Sequence, residues 1–224
     1  MEFISYHSGS SGNLCQLKGD SGNILIDPGV TIKKIKKALN FQLSSISAAL
    51  AGHEHRDHCK GVHDIAKAGI DCYMIAETAQ ALKFDGHRLH IIEPLKQFEV
   101  AGFSVLPFPI QHDAKGVGFL IQDGDEKLVY VSDSYYCRYL FQGLTIIAIE
   151  CNYSQKTLAP DLNQVRLQRL YKSHFSLENV LKFLKANDLS KVREIHLLHL
   201  SRDNADPELF RTEVMKATGK PTYV

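Results

Sequence analysis

The sequence predicts a layered α+β fold, with two sheets packed face to face and helices on their outer sides. Three observations predict it. The chain has 224 residues, of which 44% are hydrophobic, so it can bury a sizeable core. Short apolar strands separated by Gly, Ser and Asp turns open each half of the chain. Helical patterns follow the strands in each half, an order typical of layered α+β folds rather than of a simple parallel α/β sheet.

In the first half, short strands come first and helices alternate with strands afterwards. Thr31–Leu39 has apolar residues at helical spacing and lysines on the opposite face, which predicts an amphipathic helix. Ser47–Ala51 is a short apolar strand that leads directly into a cluster of histidines. The other predicted elements are strands at Glu2–Tyr6, Leu14–Lys18, Asn23–Ile26 and near Cys72–Ile75, and a helix at Gly61–Ala68.

The second half repeats the order of strands followed by helices. A strand-rich block covers Gln97–Val131, and Gly124-Asp125 between two apolar runs predicts a hairpin turn. Further strands are predicted at Leu144–Glu150 and Glu194–Leu200, and helices at Asp161–Lys172, Ser176–Ala186 and Pro207–Ala217. No repeat, low-complexity tract or charge block interrupts the chain, so we expect a single domain over residues 1–224.

The composition is that of an ordinary globular protein. The formal net charge is +1, which predicts no strong overall field toward nucleic acid or an acidic membrane. The first residues lack the basic start and apolar stretch of a secretory signal, and no apolar run approaches the roughly 20 residues that span a bilayer. The five cysteines are scattered without a C-x-x-C pair. We therefore expect a cytoplasmic protein with reduced thiols and no membrane partner.

The strongest functional signal is the segment His53-Glu54-His55-Arg56-Asp57-His58 at the end of an apolar strand. Alternate residues of an extended segment point the same way, so His53 and His55 can converge on one ion. Asp57 and His58 can face a neighbouring point once the chain turns into the next helix. Imidazole and carboxylate are ligands that zinc prefers, and manganese and iron also accept them. The spacing indicates a metal site rather than a histidine-rich surface loop.

Two metal ions need about seven or eight ligand atoms, including a bridging water, so further donors are required. His112, Asp133 and His199 each follow an apolar strand, at the point where a rigid element passes into a loop. His174 precedes a predicted helix between Ser173 and Ser176. It could be a ligand, a donor to a transition state, or part of a helix cap.

Over nearly its whole length the chain resembles the metallo-β-lactamase superfamily, in which Asp27, the His53–His58 segment, His112, Asp133 and His199 occur in this order. The resemblance implies an αβ/βα sandwich of four layers. Within the superfamily the chain is similar to a branch of bacterial DNA exonucleases and to tRNA 3′-processing phosphodiesterases. The segments that carry this similarity are Ser8–Asn13, Ile149–Asn152, Ser173–Asn179 and His199–Asn204.

The resemblance also implies roles for the individual residues. His53, His55 and His112 would hold one divalent metal ion, Asp57, His58 and His199 the second, and Asp133 would bridge them. The ions would be zinc, with manganese or iron as alternatives. Asp57 would also orient the attacking hydroxide, and Glu150 would orient His174 toward the scissile phosphate. The chain departs from the pattern at Ser132-Asp133-Ser134 and at Cys59, and it has no long inserted arm for gripping tRNA.

These features predict a dinuclear metal-dependent phosphodiesterase that acts on nucleic acid or nucleotides, first of all a DNA exonuclease. One alternative is a cyclic-nucleotide phosphodiesterase, which would use the same metals and His174. Another is a carbonyl hydrolase such as a thioesterase or lactonase, which does not require the Glu150–His174 pair. A non-catalytic binding module is disfavoured because every expected donor is present. The oligomeric state is open, with a homodimer among the options.

Overall fold

The computed structural model describes residues 1–160 and 162–224, and the chain divides into two compact units. The first unit comprises Met1–Pro109 and Ala114–Gly124, and the second comprises Ile110–Asp113 and Asp125–Val224. The expectation of a single domain stays a prediction. No helix within the described residues is long and apolar enough to cross a membrane.

The first unit contains nine strands and four α-helices, together with a 3₁₀ turn at Leu43–Ser45, among its described residues. The strands are β1 Glu2–His7, β2 Leu14–Lys18, β3 Asn23–Ile26, β4 Ala48–Leu50, β5 Asp71–Met74, β6 Leu89–Ile91, β7 Phe98–Val100, β8 Phe103–Pro109 and β9 Val117–Asp123. The helices are α1 Ile32–Ala38, α2 Arg56–Cys59, α3 Val62–Lys67 and α4 Ala76–Leu82.

Strands β1 to β6 form one sheet in chain order. The first three pair antiparallel, whereas β3, β4, β5 and β6 run parallel to one another. The carboxyl ends of parallel strands meet at one edge of a sheet, and Ile26 at the end of β3 is in register with Leu50 at the end of β4. Asp27 and the histidine segment therefore leave the sheet side by side. Strands β7, β8 and β9 pair antiparallel in the same unit.

The core of this sheet is built from the apolar positions that the sequence pattern marks. Helix α1 buries Ile35 completely while its lysines stay at the surface, as its helical spacing predicts. Residues of α3 and β5 complete the same cluster, including Val62, Ile65, Cys72 and Met74. Burial of this apolar face fixes the sheet from which the histidine segment extends.

The second unit contains four parallel strands and three helices among its described residues. They are β10 Glu126–Val131, β11 Ile146–Glu150, β12 Glu194–Leu198, β13 Thr222–Tyr223, α5 Gln164–Ser173, α6 Leu177–Ala186 and α7 Pro207–Thr218. Strand β11 lies between β10 and β12, and all five of its residues are buried. An apolar run with no alternation is typical of such a central parallel strand.

Side-chain caps begin the three helices of the second unit. Asn163, Ser176 and Asp206 each accept a hydrogen bond from a main-chain N–H of the first turn of α5, α6 and α7, respectively. Such caps satisfy donors that the helix itself leaves unpaired. His174 ends α5 in an extended conformation. Ser176 rather than His174 therefore caps α6.

Most predicted elements are present, with ends that shift by one to three residues. Strands β2 and β3 have the predicted bounds, and the Gly124-Asp125 turn separates β9 from β10. The helix predicted at Asp161–Lys172 corresponds to α5, but Asp161 lies outside the described residues. The sequence patterns missed the short elements α2, α4, β6 and β13.

Candidate active site

The histidine segment of the first unit is a compact turn that follows β4. The His55 carbonyl accepts hydrogen bonds from the main-chain N–H groups of His58 (2.9 Å) and Cys59 (3.2 Å), which begins α2 immediately after the second histidine. The ring centroid of His53 lies 4.7 Å from that of His55 and 4.2 Å from that of His58. An Asp57 carboxylate oxygen lies 3.6 Å from His58 Nε2. The first unit therefore brings together all four predicted donors of this segment.

Asp27 holds this turn in place and is itself buried. Its Oδ2 lies 2.8 Å from His58 Nδ1, and its Oδ1 accepts a hydrogen bond of 2.8 Å from the main-chain N–H of Gly52. Since the carboxylate accepts, His58 Nδ1 donates and Nε2 is left as the acceptor nitrogen, the form that binds a metal ion. In this structure Nε2 lies 3.0 Å from Asn13 Nδ2. A carboxylate behind a histidine is a common support for metal ligands because it fixes the tautomer and the ring orientation.

The Ser8–Asn13 segment supports the same turn from the other side. A hydrogen bond of 2.9 Å from Gly12 N to Gly9 O closes a β-turn. Asn13 is buried, and both its main-chain N–H (2.7 Å) and its side-chain amide (3.1 Å) donate to the Asp57 carbonyl. This segment therefore positions Asp57 through its main chain.

Gly29 is required where the chain after β3 passes Asp57. A Cβ atom at Gly29 would lie 1.6 Å from the Asp57 carbonyl oxygen and 2.6 Å from His58 N. No side chain fits at such distances. The close approach of two main-chain segments therefore fixes the position of the second pair of donors.

The second unit collects its donors from separate parts of the chain. Asp133 follows β10 and His199 follows β12, and His199 Nδ1 lies 2.9 Å from Asp133 Oδ1. His112 Nε2 lies 3.6 Å from the other Asp133 oxygen, while His112 Nδ1 donates to the Ser173 carbonyl over 2.9 Å. His112, Asp133 and His199 thus meet at the carboxyl edge of the parallel strands.

Three of these residues adopt a backbone conformation that is rare for side chains other than glycine. The φ angles are 50° at Asp27, 49° at Asp133 and 51° at His199, and each residue directly follows a strand or lies within two residues of its end. Non-glycine residues with positive φ are uncommon and tend to cluster at functional sites, where the surrounding structure imposes them. The strand ends therefore turn sharply to direct these side chains.

Glu150 and His174 form a buried pair beside these donors. Glu150 Oε1 lies 2.6 Å from His174 Nδ1 and 2.9 Å from His199 Nδ1. Glu150 Oε2 accepts hydrogen bonds from the main-chain N–H groups of Ser134 (2.9 Å) and Phe175 (3.2 Å). Both oxygens are therefore satisfied, and the Glu150 side chain is fully buried. Glu150 is better suited to orienting the two histidines than to binding an ion directly.

The charges of this pair stabilise each other. Burial lowers the pKa of His174, but the negative charge and hydrogen bond of Glu150 outweigh it, so the net pKa is raised. Burial raises the pKa of Glu150, yet the His174 charge and the hydrogen bonds of both histidines bring the net value below the ordinary one. His174 is thereby held as an imidazolium ion over a wider pH range than an isolated histidine. By contrast, burial lowers the pKa of His112, which favours the neutral form that binds metals.

The donor chemistry in each unit fits divalent metal ions. His58 and His112 each direct Nδ1 at a carboxylate or a carbonyl oxygen, so Nε2 is the nitrogen able to bind a metal in both. His199 Nδ1 lies 2.9 Å from both Glu150 Oε1 and Asp133 Oδ1. These rings, the other histidines and the carboxylates are typical ligands of zinc, manganese and iron in hydrolytic sites. In the second unit alone, ligand atoms of Asp133, Glu150, His174 and His199 lie within 4.8 Å of one another.

The sequence analysis named Asp27 as part of the superfamily motif but predicted no role for it. It predicted no role for Asn152 either. Asn152 donates to the His199 carbonyl over 2.7 Å and is almost completely buried. A signal for both is present in the sequence, because each is a polar residue directly at or near the end of an apolar strand. Burial and hydrogen bonding at those positions are known only from the fold.

Comparison with known proteins agrees with this geometry. Residues 22–199 match the model of the β-lactamase superfamily domain. The chain belongs to this superfamily. It is 30% identical over 221 residues to exodeoxyribonuclease WalJ of Streptococcus pneumoniae, covering 90% of this chain and 82% of that protein. It is 24% identical over 233 residues to exodeoxyribonuclease YycJ of Bacillus anthracis, covering 96% and 88%.

A solved structure shows the same fold. The metallo-β-lactamase fold protein YhfI from Bacillus subtilis matches with a TM-score of 0.77 at 14% identity, covering 99% of this chain and 94% of that chain. The predicted fold class, an α+β sandwich of the metallo-β-lactamase type, is confirmed. The superfamily and the His/Asp clusters also confirm the expectation of a hydrolase that depends on divalent metal ions.

Proposed function

We propose that the protein is an exodeoxyribonuclease that uses two divalent metal ions, zinc first among them. The Glu150–His174 pair supports phosphate chemistry because it supplies an imidazolium ion beside the donor set. Both exodeoxyribonuclease relatives extend over nine-tenths or more of this chain, which supports DNA as substrate. A DNA substrate also favours action in the cytoplasm.

The proposed ligands are the donors of both units. His53, His55 and His112 would hold one ion and Asp57, His58 and His199 the second, with Asp133 as a ligand shared by the two. This assignment follows the order of the superfamily motif. It is supported by the tautomers that Asp27 and Ser173 impose on His58 and His112.

Individual residues of this chain have separate roles in the proposed hydrolysis. Two divalent cations at these residues would supply activation of the attacking water and neutralise charge on the phosphate. Asp57 orients the attacking oxygen and accepts its proton. His174 uses Nδ1 to bind Glu150, so Nε2 remains to donate a proton to the leaving oxygen or to stabilise the charge that develops on the phosphoryl group. The negative charge of Glu150 stabilises the protonated form of His174 until the proton is transferred.

The test is hydrolysis of a panel of phosphodiesters by metal-loaded protein. The panel contains end-labelled double- and single-stranded DNA, RNA and cyclic mononucleotides. Asp57→Ala is compared with Asp64→Ala, which removes an exposed carboxylate from the first turn of α3. We expect progressive shortening of DNA that Asp57→Ala abolishes and Asp64→Ala preserves.

Two other results would replace the proposal. Cleavage of cyclic mononucleotides alone would identify a cyclic-nucleotide phosphodiesterase, and no cleavage of any phosphodiester would redirect the search to thioesters and lactones. Elemental analysis of the same preparation measures the metals, with two zinc ions per chain expected. Light scattering gives the oligomeric state, for which a homodimer remains one of the options.

A further inference from the structure

A cavity of about 370 Å³ lies within the second unit, between α6 and the segment that follows Asp133. We call this segment, Tyr135–Leu140, the strap. Its burial alternates, with Tyr136, Arg138 and Leu140 exposed and the residues between them half-buried. These three residues line the cavity together with Cys137.

The strap is attached to α6 at both of its ends. The Asn179 side-chain amide donates to the Tyr135 carbonyl over 3.3 Å at the beginning. The main-chain N–H of Phe141, directly after the strap, donates to the Asn187 side chain over 2.7 Å, and Asn187 in turn donates to the Phe183 carbonyl. The cavity is therefore a preformed space with fixed walls rather than a gap under a loose loop.

The strap and the segment that leads into α6 both begin next to the Glu150–His174 pair. Glu150 Oε2 accepts from the main-chain N–H of Ser134, directly before the strap, and from that of Phe175, directly after His174. Phe175 itself lines the cavity. The cavity lining thus includes Phe175, the residue directly after His174, and Tyr136, three residues after Asp133.

The lining combines an apolar floor with positive charge. Phe175 and Phe183 form buried parts of the floor, and Tyr136, with 54% of its surface exposed, adds an aromatic ring. Arg138 and Lys182 supply two cations, and among the described residues that line the cavity none is acidic. A purely apolar ligand would leave these cations unmatched. A flat aromatic group that carries a negative charge matches both features.

We propose that this cavity receives the nucleotide next to the scissile phosphodiester, with its base against the aromatic and apolar wall and its phosphate near Arg138 and Lys182. Stacking on aromatic side chains accepts every base, and cations beside it neutralise the backbone. This inference rests on the proposed function, because it names the part of the site that holds the DNA chain.

The first test fills the cavity. Ala186 is the exposed last residue of α6 and lines the cavity, so Ala186→Trp occupies the space without touching a metal donor. We expect the KM for DNA to rise about tenfold, as for the loss of one stacked base. The kcat at saturating DNA and the metal content should be unchanged, because the substitution contacts no proposed metal ligand. Binding of deoxyadenosine 5′-monophosphate to the metal-loaded protein, measured by calorimetry, should weaken in parallel.

The second test reverses one charge and has a matched control on the same helix. Lys182→Glu removes a cation from the cavity, whereas Lys185→Glu changes an exposed lysine of α6 that does not line it. We expect Lys182→Glu alone to raise the KM for DNA, by about fivefold at low salt, with a smaller difference as salt increases.

The outcomes separate this inference from the proposed function. If DNA is degraded but Ala186→Trp and Lys182→Glu leave the KM and nucleotide binding as in the wild type, the cavity assignment is wrong and the exonuclease activity stands. If DNA is not degraded, the proposed substrate is wrong. In that case, nucleotide binding that Ala186→Trp weakens still supports the cavity, and binding unaffected by the substitution overturns it.

Discussion

The two units supply their donors in different ways. In the first unit, four donors lie within six consecutive residues, and main-chain packing of Gly29 and Asn13 against Asp57 fixes their turn. In the second unit, His112, Asp133 and His199 are far apart in the sequence. Asp133 and His199 meet because the parallel strands β10 and β12 end at one edge, and the Ser173 carbonyl holds His112 beside them. The first arrangement is local and visible in the sequence, whereas the second depends on topology.

The two units also differ in how they support their donor residues. The first unit supports its donors with one carboxylate, Asp27, behind one histidine. The second unit adds Glu150, which contacts two histidines and holds two main-chain N–H groups. We infer that both units bind metal, that Asp57 of the first unit accepts the proton of the attacking oxygen, and that the Glu150–His174 pair of the second unit supplies a proton to the leaving oxygen. Substitutions in each unit can test this division.

The largest effect is expected for His174→Ala. Loss of a general acid typically lowers kcat by about 10²- to 10⁴-fold. Metal content should remain at the wild-type level, because the proposed ligands are intact. His196→Ala, which changes another half-buried histidine of the second unit, is the control and should retain activity. Loss of metal together with activity in His174→Ala would instead make His174 a ligand.

The next largest effect is expected for Gly29→Ala. The new Cβ would collide with the Asp57 carbonyl, so the turn must shift, and we expect the free energy of unfolding to fall by about 3 kcal/mol, the upper end for overpacking. Urea denaturation measures it, together with the metal content of the folded protein. Gly143→Ala, at a positive φ but in open space, should cost only about 1 kcal/mol. Equal losses in the two variants would contradict a special role for Gly29.

A smaller effect is expected for Asp27→Asn. The amide keeps the shape but no longer holds His58 Nδ1 with a negative charge, and loss of such support typically weakens metal affinity by about 10- to 100-fold. Competition with a chelator measures this affinity. The division between the units predicts that one of the two ions is released before the other. Simultaneous release of both would show that Asp27 supports the whole centre.

The smallest effect is expected at Asp71, on the same sheet but away from the histidine segment. Its carboxylate accepts a hydrogen bond of 3.0 Å from Arg88, which lowers its pKa. Because the pair is partly exposed, Asp71→Asn should cost about 0.5 kcal/mol and leave metal affinity unchanged. The depressed pKa means that this contribution is present above the carboxylate's ordinary pKa and is lost as pH falls through the folded-state value. Urea denaturation at neutral and acidic pH measures whether the contribution of Asp71 to the free energy of unfolding is lost at acidic pH.

The sequence by itself determined the elements with strong periodicity and the local donors. Strands β2 and β3 have the bounds that their apolar runs predict, and α1 buries the stripe that its spacing marks. The His53–His58 turn was predictable because hydrogen bonds between near neighbours create it. Strands β6 and β13 were missed since they have three and two residues, too few for a periodic pattern, and they form only by pairing with β5 and β12.

Only the tertiary structure decided which residues support the donors. The family resemblance gave Glu150 the role of orienting His174 and gave Asp27 a place in the motif without a role. The contacts of Asp27 with His58 and of Glu150 with His174 join residues distant in the chain, so only the fold brings them together. The strap and its cavity are likewise absent from any sequence pattern, because their walls come from separate segments tied to one carboxylate. Local periodicity reports which face of an element is buried. It does not report which buried polar groups meet, since that depends on the register and order of strands that pair across long stretches of chain.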